Sequence, residues 1–313
     1  MAKIAFVFPG QGSQSVGMLA PWGQDRAVLD AVQRASESLG EDLGRLIAEG
    51  PAEALELTVN TQPCMLVASY AAYAAWKAAG GPIPSMMAGH SLGEYTALVA
   101  AGALRLEDAV PLVRFRAQAM QDAVPVGVGT MAAILGLDDA QVEEACARAR
   151  AGYSEVVQAV NFNAPSQVVI AGHRAAVARA CEAAKSLGAK RAVGLPVSVP
   201  FHCSLLEPAA VRLAHRLQTV AVQRPSVPVI NNIDVSTPEQ PAAIKDALSR
   251  QAAGPVHWTQ IIAKMSVEGV THVVECGPGR VLSGLTRRIA PSLVSLAVSD
   301  PASLRQTLDA IVS

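Results

Sequence analysis

Short apolar runs alternate with longer alanine-rich stretches along this chain, and no other feature constrains its fold as strongly. IAFVF at 4–8 precedes a helical stretch over 65–79, SMMAG at 85–89 precedes another over 92–101, and VPVI and THVVEC follow at 227–230 and 271–276. Such an order builds a parallel sheet covered by helices. The runs show little polar alternation, as expected of strands buried on both faces. With 313 residues, 51% of them hydrophobic, the chain has material for a large core. One large domain with an insertion, or two domains, is the size class.

The pattern changes between 126 and 197. TMAAILGL reads as a strand, and Asp138 with Gln141 forms a capping box opening a helix through Val142, Ala145, Cys146 and Ala149. Strands are expected around Val156 to Phe162 and Val168 to Ala171, joined by turn residues Asn163, Ala164, Pro165 and Ser166. A second helix ends near Gly188, a residue suited to a left-handed cap, and RAVGLPV supplies a last strand. This βαββαβ order is that of a ferredoxin-like unit. The expected fold is therefore α/β: a large parallel-sheet, α/β-hydrolase-like subdomain from 1–125 and 198–313, with a small ferredoxin-like subdomain, 126–197, inserted.

Charge removes several function classes. Lys plus Arg number 25 against 26 Asp plus Glu, so no whole-chain field favours nucleic acid or a membrane surface. An acidic partner has to meet a local basic patch. Five cysteines, Cys64, Cys146, Cys181, Cys203 and Cys276, are scattered without CxxC spacing, which suggests neither a disulfide framework nor a zinc site. Lys3 is followed by only five apolar residues before Pro9, too short a run for a signal-peptide core. No apolar run approaches the roughly 18 residues that span a bilayer. The chain reads as soluble and cytoplasmic, and, lacking a dedicated interface pattern, as a monomer.

The most informative local motif is GHSLG, Gly89 to Gly93, between the run SMMA and the helical run LGEYTALVAAG. A serine on a tight strand-to-helix turn needs small residues two positions either side, because the turn brings backbone close to neighbouring elements. The turn exposes the Ser91 hydroxyl at a helix N-terminus, whose dipole favours developing negative charge. An activated serine needs a base. His90 lies inside the turn, is expected to point away from Ser91, and shapes the pocket instead. His202 lies just past the small subdomain, where a chain crossing back to the large one can face the turn, whereas His257 suits a local structural role and His173, His215 and His272 fall in helix or strand patterns.

Three other patterns are set aside. PGQGSQSVG follows the first strand, but Ser15 stands where a dinucleotide fingerprint needs its third glycine. Gly127, Gly129 and Ala132 fit a GxGxxA spacing yet precede a strand. Cys203 beside His202 on an extended segment would point the opposite way, which suits a small buried filler. Arg114 and Arg116, judged on residue type alone, read as solvated helix charges, although a charge in the otherwise apolar stretch PLVRFRAQAM needs some partner.

Several separated segments agree on one resemblance. FPGQGSQ at 8–14, NTQPCM at 60–65, AGHSLGEYTALVAAG at 88–102, RFRAQAMQDAVP at 114–125, NFNAPSQVVIAG at 161–172, AKRAVGLPVSVPFH at 189–202, RQAAGPVHW at 250–258 and ECGPGRVLSGL at 275–285 resemble the malonyl-CoA:acyl carrier protein transacylases of bacterial fatty acid synthesis. The segments keep the family's order over nearly the whole length. The resemblance implies a ping-pong exchange in which Ser91 takes malonyl from the coenzyme A thioester and passes it to the phosphopantetheine thiol of holo acyl carrier protein, with no bound cofactor or metal. It further implies His202 as base, oriented by the backbone carbonyl of Gln251, with an oxyanion hole from the backbone N–H groups of Gln11 and Leu92. Arg116 becomes the clamp for the substrate carboxylate. Phe201 stands where many bacterial members carry serine, and a ring beside the acyl pocket leaves little room for an α-methyl branch. Lys190, Arg191, Arg287 and Arg288 are the expected basic rim for the acidic carrier. A serine hydrolase, a catalytically idle homologue, and an acyltransferase serving a polyketide or malonate decarboxylase carrier are the competing readings.

Overall fold

The structure is a computed structural model describing residues 2–152, 154–197 and 199–312. Met1, Tyr153, Ser198 and Ser313, which fall within or at the limits of the expected subdomains, lie outside the described residues. Nine strands occur among the described residues: β1 (Ile4–Phe8), β2 (Met86–Gly89), β3 (Gly129–Leu135), β4 (Val157–Ala164), β5 (Gln167–His173), β6 (Arg191–Gly194), β7 (Val229–Ile230), β8 (His272–Cys276) and β9 (Val294–Val298). They form a parallel sheet in the order β7-β2-β1-β8-β9 and an antiparallel sheet in the order β4-β5-β3-β6. The fold is the mixed α/β arrangement that the apolar runs predict.

Strand β1 shows why those runs are continuous, since all five of its residues are buried. Phe6 meets Tyr73 and Trp76 of the helix Thr58–Ala78 edge-on, at centroid distances of 5.6 and 5.2 Å. Ala5 and Val7 face a second core with Trp258, Ile261 and Ile262 of the helix Trp258–Val267. Burying a side chain as large as Phe6 contributes about 1.5–3 kcal/mol. The helix expected over 65–79 starts earlier, at Thr58, and includes Pro63, whose missing N–H forfeits one bond near the N-terminal end.

The antiparallel sheet has the strand order of a ferredoxin-like βαββαβ unit, with helices Asp139–Ala149 and Arg174–Ser186 after β3 and β5. The capping box is reciprocal: Gln141 N–H donates to Asp138 Oδ1 at 2.8 Å, and Asp138 N–H to Gln141 Oε1 at 3.1 Å. The hairpin is tighter than expected. Ala164 pairs with Gln167, so Asn163 and Ala164 belong to β4 and only Pro165 and Ser166 turn. Strand β6 stops at Gly194, short of the expected Val197. The small sheet is tied to the segment leading into the helix Trp258–Val267, where Phe162 N–H donates to Val256 O at 3.0 Å and Val256 N–H to Val160 O at 2.8 Å. Among the described residues no helix is long and apolar enough to cross a membrane.

Candidate active site

The turn between β2 and the helix Gly93–Ala100 holds Ser91 at φ 53°, a left-handed conformation uncommon for a residue with a side chain. The glycines on either side have a steric cause. A Cβ on Gly89 would lie 1.8 Å from the Gly93 carbonyl carbon, and one on Gly93 would lie 2.1 Å from the Phe8 carbonyl oxygen. Both obstacles are backbone and cannot rotate away. Gly93→Ala is therefore expected to destabilise the fold by about 3 kcal/mol, lowering the thermal midpoint by roughly 5 °C or more. An unchanged midpoint in a melt would show that the turn relaxes freely.

Of the histidines, the one that meets Ser91 is His202. Ser91 Oγ lies 2.7 Å from His202 Nε2. His202 Nδ1 faces two backbone carbonyls, Gln251 O at 2.9 Å and Gly254 O at 3.1 Å. Since both are acceptors, Nδ1 carries the proton and Nε2 is left to accept from the serine hydroxyl. Burial, reinforced by the positive charge of Arg116 and opposed by the two carbonyl bonds, pushes the imidazole down to about 3. It is a neutral acceptor throughout the neutral range. An NMR titration of the His202 ring is expected to show no midpoint between pH 5 and 8; one near 6.5 would contradict this burial. The sign for stability follows. Between about pH 6.5 and 3 the unfolded chain binds this proton and the folded chain does not, so the contribution of neutral His202 is lost as pH falls below about 6.5.

Arg116 is 2% exposed, against the solvated charge that its residue type suggests. Nη1 donates to Gln62 Oε1 at 2.7 Å, and Nη2 to Gln251 Oε1 at 3.0 Å and Ser91 Oγ at 3.2 Å. The guanidinium sits 5.3 Å from the centre of the Tyr95 ring. Burial lowers its affinity for a proton, but an arginine keeps its charge inside proteins. Its hydrogen-bond partners are amide oxygens and a hydroxyl, all neutral. Arg114, two residues earlier, instead pairs with Glu41 at 2.6 Å near the surface. The backbone N–H groups of Gln11 and Leu92 find no acceptor among the described residues. The Gln11 side chain is tied back by Thr58 Oγ1 and Gln62 Nε2, at 3.0 and 3.2 Å.

His90 turns away from Ser91 as expected: Nε2 meets Asn163 Oδ1 at 2.8 Å, and the ring packs 5.4 Å from Trp258. Phe201 is half-buried between the main core and the small-sheet cluster. His202 is not on an extended segment, since its φ is 66°. Cys203 still points elsewhere, its Sγ 3.1 Å from Pro200 O, and burial pushes the thiol up to about 11. His257 stacks on Phe162 at 5.3 Å. Lys190 and Arg191 are exposed at the edge strand β6. Arg287 and Arg288 are exposed on the helix Val281–Ile289, where Arg288 donates to Pro165 O at 3.0 Å. None of these four cations hydrogen-bonds to Ser91, His202 or Arg116.

Sequence reasoning misses Glu94, Asn232 and Gln62. Asn232 Oδ1 accepts from Ser91 N–H at 2.6 Å, and Gln251 Nε2 donates to Ser91 O at 3.0 Å and Glu94 Oε2 at 2.9 Å. Burial pushes the Glu94 carboxyl up to about 7, against the bonds from Gln251 and Asn232 and the charge of Arg116. The available signals are a lone acid in the apolar run LGEYTALVAAG and an asparagine pair directly after a short strand.

A serine bound by a neutral imidazole at the end of a parallel-sheet strand, beside a buried guanidinium, defines an enzyme class that moves acyl groups through a serine ester. The chain belongs to the acyl transferase domain family, whose profile matches residues 5–288. It is 52% identical over 310 residues to the malonyl CoA-acyl carrier protein transacylase of Escherichia coli strain K12, covering 99% of this chain and 100% of that one. It superposes on the crystal structure of an acyl-carrier-protein S-malonyltransferase from Burkholderia pseudomallei with a TM-score of 0.96 and 62% identity, covering 98% of this chain and 99% of that one. A second solved structure, a malonyl-transacylase in complex with its type II polyketide synthase acyl carrier protein, matches with a TM-score of 0.97 and 47% identity, covering 99% of this chain and 100% of that one.

Proposed function

We propose that this protein transfers malonyl from malonyl-CoA to the phosphopantetheine thiol of acyl carrier protein, supplying fatty acid biosynthesis, through a malonyl ester on Ser91. The observation that carries the reading is the convergence of His202 Nε2 and Arg116 Nη2 on one atom, Ser91 Oγ, at 2.7 and 3.2 Å.

In the first half-reaction Ser91 Oγ attacks the thioester carbon while its proton passes to His202 Nε2. The carbonyl oxygen gains charge, which the N–H groups of Gln11 and Leu92 stabilise; one such donor is worth about 3 kcal/mol. The carbon–sulfur bond then breaks, and His202 returns the proton to the departing coenzyme A thiol. In the second half-reaction the carrier thiol gives its proton to His202 and its sulfur attacks the ester. Ser91 leaves with that proton restored. Arg116 holds the malonyl carboxylate throughout, His90 and Phe201 shape the acyl pocket, and the Gln251 carbonyl keeps the imidazole oriented. No acid is needed behind the histidine, because two carbonyls fix its tautomer.

The reading extends to the rest of the chain. Residues 1–125 and 198–313 make the larger subdomain and 126–197 the smaller one, with Lys190, Arg191, Arg287 and Arg288 receiving the carrier. The enzyme works as a cytoplasmic monomer and uses malonyl-CoA and holo carrier as substrates, without a resident cofactor. Incubation with radiolabelled malonyl-CoA and holo carrier is the deciding experiment. Label on the carrier is expected; label appearing only as free malonate would assign a hydrolase.

A further inference from the structure

The Glu94 side chain is buried in the first turn of the helix after Ser91, yet it hydrogen-bonds to neither the serine nor the imidazole. Its Oε2 accepts from Asn232 N–H at 2.8 Å and from Gln251 Nε2 at 2.9 Å. These two residues come from distant segments, and both return to the nucleophile. Asn232 Oδ1 accepts Ser91 N–H at 2.6 Å, and its Nδ2 donates to Gly89 O at 2.7 Å. Gln251 Nε2 donates to Ser91 O at 3.0 Å, its Oε1 accepts from Arg116 at 3.0 Å, and its backbone carbonyl accepts from His202 Nδ1 at 2.9 Å.

We propose that Glu94 is a positioning residue for acyl transfer: one buried oxygen gathers Asn232 and Gln251 onto the turn and so holds Ser91, His202 and Arg116 in a single register. The proposal rests on the reading that Ser91 carries the acyl group. Burying a carboxylate is costly unless its bonds are made, and an apolar residue would otherwise suit this helix better. What the site needs from Glu94 is an acceptor at the right reach. A carboxylate or an amide oxygen can each accept two hydrogen bonds. A side chain one methylene shorter withdraws that oxygen by about 1.5 Å, and misplacement on the order of 1 Å lowers turnover by about 10²-fold.

The test compares Glu94→Asp with Glu94→Gln in the full chain, measuring malonyl-ester formation from malonyl-CoA and checking each variant by thermal melt. Glu94→Asp is expected to lose about 10²-fold in kcat with KM changed by less than about threefold, whereas Glu94→Gln stays within about fivefold of the parent. Adding Glu94→Asp to Gln251→Ala is expected to cost less than the product of the two single losses, because the contact with Gln251 is already gone and only the one with Asn232 is left to lose. An Asp variant with parental kcat, a loss confined to KM, or multiplying losses in the double variant would overturn the proposal. Should Glu94→Asp not fold, Glu94→Gln decides: retained kcat supports positioning, and a hundredfold loss refutes it. Failure of the parent itself to form a malonyl ester would remove the underlying reading of Ser91, a result distinguishable from every one of these.

Discussion

Ser91→Ala is expected to lower malonyl transfer by about 10⁴-fold or more and to leave the protein without any acyl adduct after exposure to malonyl-CoA. Alanine keeps the Cβ, so the strain of the left-handed turn at φ 53° is the same in both proteins and the variant should fold as the parent does. What it lacks is the oxygen on which His202 Nε2 and Arg116 Nη2 converge. Among the described residues His202 Nε2 hydrogen-bonds to Ser91 Oγ alone, and the neighbouring Cys203 thiol is turned to Pro200 O and held protonated by burial. Intact-protein mass spectrometry and the transfer assay check both halves. A malonyl adduct that survives in the variant would move the nucleophile to another residue.

The parts of this molecule that were legible in the sequence are those decided locally. Strands β1 and β2 declare themselves because burial on both faces leaves no polar residue between Ile4 and Phe8 or between Met86 and Gly89, and β8 does so through Val273 and Val274 despite its buried Glu275. Strand β9 does not declare itself: its residues are mostly part-exposed, and VSLAV carries no run of buried positions. The Asp138–Gln141 capping box was legible because both of its bonds lie within three residues, whereas the hairpin at Pro165 depended on cross-strand pairing of Ala164 with Gln167. The site divides the same way. Ser91 follows from glycines two residues away, whose Cβ positions are occupied by backbone. His202 lies 111 residues from Ser91 and Gln251 lies 160 away, so spacing alone selects neither, and only the resemblance of whole segments did. Glu94 and Asn232 stayed hidden because their partners are backbone and amide groups 138 to 157 positions away, which no motif records.

Arg116→Ala is expected to reverse the acyl preference, losing malonyl transfer while gaining acetyl transfer. A malonyl group delivers a carboxylate to a buried site, and without the guanidinium that charge is left unpaired, a loss of about 2–5 kcal/mol or roughly 30- to 5,000-fold in kcat/KM. An acetyl group carries no charge and gains the space that the removed side chain leaves. The substitution also disturbs groups common to both substrates: the Gln62 and Gln251 side-chain oxygens each lose a donor, and Glu94 loses the positive charge that opposes its protonation. These structural effects weigh on both substrates alike and only blunt the gain with acetyl, so the ratio of malonyl to acetyl kcat/KM is the quantity that reports the clamp. Arg116→Lys should recover little of that ratio, because a single ammonium cannot span Gln62 and Gln251 and still offer two parallel donors to a carboxylate. A variant in which both acyl groups lose activity by the same factor would reduce Arg116 to a brace for Gln251 and leave the selection of malonyl to another residue.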